Sequence, residues 1–162
     1  MVWLASCGVP RWLVAPPKIA LNCSPQPDGS LLFELQAERA HSVDQVVIWS
    51  ETTGEALWGF EIAHTPVDPA VLKTFTYGLA PQVPDQPSLR TVKLYPPKGK
   101  PRPIGPLERF IVKVAYDYDT FGGPAVGQTY FYFDALQGSS AKRTGRIGSS
   151  KVMPAAFLEA FK

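Results

Sequence analysis

Cysteine is scarce in this chain. Two residues of 162, Cys7 and Cys23, make no disulfide framework and no thiolate cluster for a structural metal. Histidine is equally rare. His41 and His64 both lie beside predicted loops, read as solvated, and neither has metal-ligand spacing or a neighbouring nucleophile and carboxylate arranged for hydrolysis. There is no nucleophile elbow and no G-x-x-x-x-G-K-[ST] phosphate loop. No apolar run approaches the roughly 20 residues that a membrane-spanning helix needs. With no catalytic motif in view, the expectation is a protein that is not an enzyme and takes no cofactor.

What is present is aromatic, apolar and heavily punctuated. The composition is 45% hydrophobic, with nine Phe, six Tyr and four Trp that cluster in short runs. Seventeen Pro and 13 Gly break the chain too often for many long helices, which points to an all-β sandwich or barrel. The stretch Arg109–Asp119 (RFIVKVAYDYD) alternates, with Phe110, Val112, Val114, Tyr116 and Tyr118 on one face. Ile111, Lys113, Ala115, Asp117 and Asp119 occupy the other face, so this is a half-buried strand of an antiparallel sheet. A turn at TFGGPAVG (120–127) should join it to a second alternating run that begins near Gln128.

The same reading places strands at 18–23, 30–38, 43–51, 55–62, 74–78, 89–95, 109–119 and 128–135, seven or eight in all. The apolar centre of 43–51 marks an interior strand, and Asp68–Lys73 suits a single helical turn. Cys23 falls on the apolar side of its strand, as a small buried hydrophobe. Eight prolines between 81 and 106 make a stiff connector across the surface. Of the two aromatic pairs in the last strand, Tyr130/Tyr132 and Phe131/Phe133, one should face the second sheet. The other would form an exposed aromatic patch or lie beneath the tail or the Pro-rich segment.

Two resemblances give the chain its context. Leu4-Ala5-Ser6-Cys7 resembles the lipobox of bacterial lipoproteins, in which small residues precede a Cys that becomes the lipidated N-terminus. Gly8 after the Cys resembles the default outer-membrane sorting signal. Pro106–Ala115 (PLERFIVKVA) resembles the penultimate strand of fibronectin type III domains, with Leu107, Phe110, Val112 and Val114 in the matching positions. Phe110 replaces the usual Tyr corner, and Trp49 and Trp58 fall on the third and fourth strands rather than the second. The resemblance implies an immunoglobulin-like antiparallel sandwich over 17–136, without catalytic residues, in a small envelope lipoprotein. Residues 1–16 would be the tether and 137–162 a flexible basic tail ending in a short helix.

Candidate binding residues follow from these assignments. Phe121, Gly122 and Gly123 form a binding loop, since the Phe has no local cover and glycines allow close backbone approach. Asp117, Asp119 and Asp134 would offer carboxylates to a hard cation such as calcium if the strand register gathered them. Outward aromatics would stack on carbohydrate. The tail carries Lys142, Arg143, Arg146 and Lys151 in a Gly/Ser-rich stretch, expected to be disordered and drawn to anionic surfaces. Met153, Phe157 and Phe161 recur at i, i+4 and i+8, a stripe that orders a short helix only by docking. The expected partner is an envelope protein or a membrane surface, with no sequence-specific nucleic acid.

Overall fold

A computed structural model describes residues 16–63, 67–83, 91–105, 107–134 and 142–162. The lipobox with Cys7, the loop residue His64 and Pro106 lie outside the described residues. Two antiparallel layers face each other. The smaller contains β1 (Lys18–Pro25), β2 (Leu31–Glu38), β5 (Thr74–Thr76) and β9 (Arg143–Thr144), in the order β5-β2-β1-β9. The larger contains β3 (Ser42–Ser50), β4 (Ala56–Ala63), β6 (Thr91–Tyr95), β7 (Phe110–Thr120), β8 (Gly123–Phe133) and β10 (Arg146–Gly148), in the order β10-β8-β7-β3-β4-β6. This is an all-β sandwich, compatible with an immunoglobulin-like fold.

Alternation decides which side chains are buried. Leu21, Phe33, Val46, Ile48, Phe60, Val112, Val114 and Phe131 are fully or almost fully buried between the layers. At the centre, Phe110 stacks on Phe133 with ring centroids 4.9 Å apart, and Phe33 from the opposite layer meets both edge-on. Leu107, which matches the fibronectin-type Leu before the corner residue, is 80% exposed, whereas Phe110 is buried in the core. β3 lies between β7 and β4 and is covered on both sides. Val46 and Ile48 face the other layer, and Val47 and Trp49 face outward into a second small core.

That outer core is built by the tail. Helix α1 (Ala155–Ala160) places Phe157 and the adjoining Phe161 against Val47, Trp49 and Ile111, with Met153, Tyr130 and Tyr132 around them. The outward aromatics of β8 are therefore Tyr130 and Tyr132, and the chain itself covers them, while Phe131 and Phe133 are inward. α1 has no side-chain cap and only six residues, so docking, not propensity, holds it.

The structure corrects two expectations. The tail is not wholly disordered: Arg143–Thr144 pairs with β1, and Arg146–Gly148 pairs with β8. Gly145 crosses between the layers, and its N–H donates to the Leu21 carbonyl at 2.8 Å. A Cβ at Gly145 would come within 2.8 Å of Phe133 and 2.9 Å of Phe131, so close packing requires glycine there. The segment is a strap closing one flank of the sandwich, which raises the strand count among the described residues to ten. Second, the turn after β7 is shorter than TFGGPAVG. Thr120 pairs with Gly123, leaving only Phe121 and Gly122 as the loop. Pro124 belongs to the strand, where it is tolerated because, among the described residues, no strand pairs with its other side.

Candidate functional site

The β7–β8 hairpin outgrows its neighbours. β3 pairs with β7 only as far as Ser42↔Asp117, and β10 pairs with β8 only from Tyr130 to Tyr132. The hairpin continues beyond them as an arm. Its apex is braced by Thr120, whose hydroxyl donates to the Gly123 carbonyl at 2.8 Å and accepts from the Gly122 N–H at 3.2 Å. Gly123 has φ +113°, a conformation that side chains resist. Phe121 is held at the apex with 57% of its surface exposed. Farther down, the Tyr116 ring lies over Gly127, and its hydroxyl shares a 3.2 Å hydrogen bond with Thr129. The predicted loop residues Phe121, Gly122 and Gly123 are thus brought together at a preorganised tip.

The arm points to the end from which the chain enters β1. Lys18 pairs with Glu38 at the end of β2, and Ser42, just past the short 39–41 loop, pairs with Asp117. His41 in that loop meets Asp119 at 2.9 Å, with both side chains largely exposed.

The carboxylate trio is not assembled. Register places Asp117 opposite Val126 and Asp119 opposite Pro124, whereas Asp134 follows Phe133, the partner of Phe110 at the far end. About ten strand residues, on the order of 30 Å, separate Asp134 from the other two. Asp117 instead accepts from Ser42 at 3.3 Å, and Ser42 also donates to Asp44 at 2.8 Å. Burial raises the Asp44 carboxyl above its ordinary value; the Ser42 hydrogen bond opposes this, and the charges of Asp117 and Glu61 add to it. Among the described residues no three His, Cys, Asp or Glu side chains gather as a metal site.

The tail cations are dispersed. Lys142 pairs with Glu34 on β2, Arg143 is half-buried opposite Cys23, and Arg146 and Lys151 are exposed on and after β10. Cys23 is buried, and desolvation pushes its thiol up to about 12 against the opposing pull of Arg143, which leaves it inert at neutral pH.

Two features escaped sequence reading. At the end opposite the arm, the β1–β2 turn, the residues after β5 and the Pro-rich loop enclose a cleft of about 780 Å³. Leu32, Tyr77, Leu79 and Pro101 supply apolar walls, and Asp28 and Lys100 supply rim charges. Arg102 fixes that loop by bonding Glu108 at 2.7 and 2.8 Å and Glu55 at 2.8 and 2.9 Å, while Tyr77 donates to the Arg102 carbonyl at 2.7 Å. The Arg102 hydrogen bonds hold the Glu108 carboxyl down at about 2 despite some desolvation. The second feature lies under the tail. Lys113 is 7% exposed and donates to Gln45 at 3.0 Å, and Gln45 donates to Glu61 at 3.0 Å. Burial lowers the Lys113 pKa, with Glu61 opposing. The proline density and the lone Lys among apolar neighbours were the available signals, but neither names its partners.

No family model, no curated protein and no solved structure matches the chain. Among the described residues no helix is long and apolar enough to cross a membrane.

Proposed function

We propose that this protein is a non-catalytic interaction module of the bacterial cell envelope, an immunoglobulin-like sandwich tethered through a lipid on Cys7. It recognises a partner envelope protein through the tip of the β7–β8 arm. The observation that carries this reading is the braced apex. An exposed apolar side chain brings no benefit to a monomer, yet Thr120 and Gly123 fix the two-residue turn that carries Phe121, and that side chain is 57% exposed. Aromatic anchors of this kind dominate binding energy in protein interfaces. β1 begins at the arm's end of the sandwich, so an anchor upstream of it would bring a partner close to the membrane within reach.

Two measurements test the reading separately. Mass spectrometry of the membrane fraction should find a mature N-terminus at Cys7 with a lipid mass; an intact MVWLAS terminus removes the tether. Crosslinking in the intact envelope should capture an envelope protein with the parent chain and lose it with Phe121→Ala. Equal capture removes the tip from recognition.

A second reading, a soluble ligand-binding module for carbohydrate, draws on the cleft beside Tyr77, where Asp28 and Ser30 offer polar groups next to an aromatic wall. Tyr130 and Tyr132, half-covered by the tail, are poorer stacking platforms. Binding on a glycan array that Tyr77→Ala abolishes would favour this reading, and a blank array would dismiss it. Calcium has less support, because the register separates Asp134 from Asp117 and Asp119.

A further inference from the structure

The outer edge of the arm is the largest unpaired backbone surface that the described strands leave on β8. Asp117 and Arg109 turn their carbonyls toward the β3 side, accepting from His41 and Glu51 at 2.8 and 3.0 Å. Odd-numbered residues of β7 therefore bond β3, and even-numbered ones bond β8. Through the register Tyr116↔Gly127 and Tyr118↔Ala125, it follows that Pro124, Val126 and Gln128 direct their backbone groups away from β7. The chain's own β10 occupies the continuation of this edge at Tyr130 and Tyr132 and stops at Gly148. The edge is thus geometrically able to accept a strand, and β10 leaves its first half open.

Native sheets usually guard such an edge with charge. Here Thr120–Phe133 contains no charged residue, and Val126 is 70% exposed at the middle of the open stretch. Pro124 is the one guard, and it removes a single donor. We infer that this edge pairs with the same edge of a second copy of the chain, antiparallel about a two-fold axis at Val126. In that register the two Val126 residues exchange their N–H and C=O groups. Gln128 of each copy donates to the Pro124 carbonyl of the other, so the missing proline N–H costs little. No like charges meet, and the two valines form a cross-strand apolar pair. The contact is small, so the association is weak and depends on concentration. It concerns the arm's edge, not its apex, and does not depend on the tether.

The test uses the full chain with Cys7→Ser; Cys23 is buried, so a new surface cysteine supplies the accessible thiol. Val126→Cys should be joined into a covalent dimer by a short bis-maleimide crosslinker, which spans the ~5.5 Å between opposed residues of a hydrogen-bonded pair in this register. Its yield should exceed that of Leu158→Cys, an exposed control on α1, by about tenfold. Sedimentation of the chain bearing only Cys7→Ser should show a monomer–dimer equilibrium. Val126→Lys should weaken it about fivefold or more, and Gln128→Pro should weaken it by deleting the outward donor without touching the β7 ladder. Equal crosslinking of the two cysteine variants overturns the proposal. So does a monomer at every concentration. Protection of the Val126 and Gln128 amides that persists at the lowest concentration also overturns it, because the cover would then be intramolecular.

Discussion

The two ends of β7 carry the same alternating sequence into opposite circumstances. Near Phe110 the strand is enclosed. Phe33 and Phe133 pack on one face, and Ile111 turns its side chain under α1 on the other. Glu108 just before it is locked to Arg102, with its side chain only 15% exposed. Near Asp119 the strand has lost β3, and its contact with the His41 imidazole across the loop joins side chains that are 59% and 70% exposed. Enclosure stabilises the first end; the second is left available for contact. Alternation establishes that a strand exists, and only its neighbours determine whether that strand is core or interface.

The contrast is sharpest where it should cost most. Phe131→Ala at the enclosed end, fully buried, should destabilise by about 3–5 kcal/mol, measured by urea unfolding. Phe157→Ala should cost about 3 kcal/mol or somewhat less, since α1 covers the outer face alone. It should also release Trp49, visible as a red-shifted emission while the inner core stays folded. A loss as large as that of Phe131→Ala would mean that the outer core is no accessory. An acid titration probes the Arg102 clamp. Unfolded, Glu108 titrates at its ordinary 4.5; folded, at about 2. Between those values the unfolded chain binds the proton first, so the clamp's contribution is complete above 4.5 and fades as pH falls toward 2. Glu108→Gln should flatten that part of the stability profile, and an unchanged slope would remove the clamp from the account. Phe121→Ala at the exposed end should shift stability by less than about 0.5 kcal/mol while abolishing partner capture. A larger loss would show that the apex packs on its own domain.

Much of the fold could be read from the chain because burial follows side-chain alternation. Leu31, Phe33 and Leu35 turn inward on β2 as their spacing implies, and Met153, Phe157 and Phe161 share one docked stripe. What stayed hidden depends on register and on distant partners. Arg143–Thr144 and Arg146–Gly148 are too short to show a period, and their glycine-rich setting imitates a linker. Pro124 and Gly127 resemble a turn until the two-residue loop at Phe121 fixes the hairpin. Asp134 looked like a companion of Asp117 and Asp119, yet antiparallel pairing carries it to the opposite end. The cleft at Tyr77 unites three segments far apart in sequence, and no local pattern announces that meeting.

The strap has a bearing on how the molecule comes into being. Thr144 bonds Asn22 across 122 positions of chain, and such distant closures are slow to form. During synthesis the earlier strands emerge with one flank of their aromatic interior uncovered, and it stays so until the closing residues leave the ribosome. Nascent or clipped chains lacking the strap would therefore be the forms that chaperones and proteases meet first.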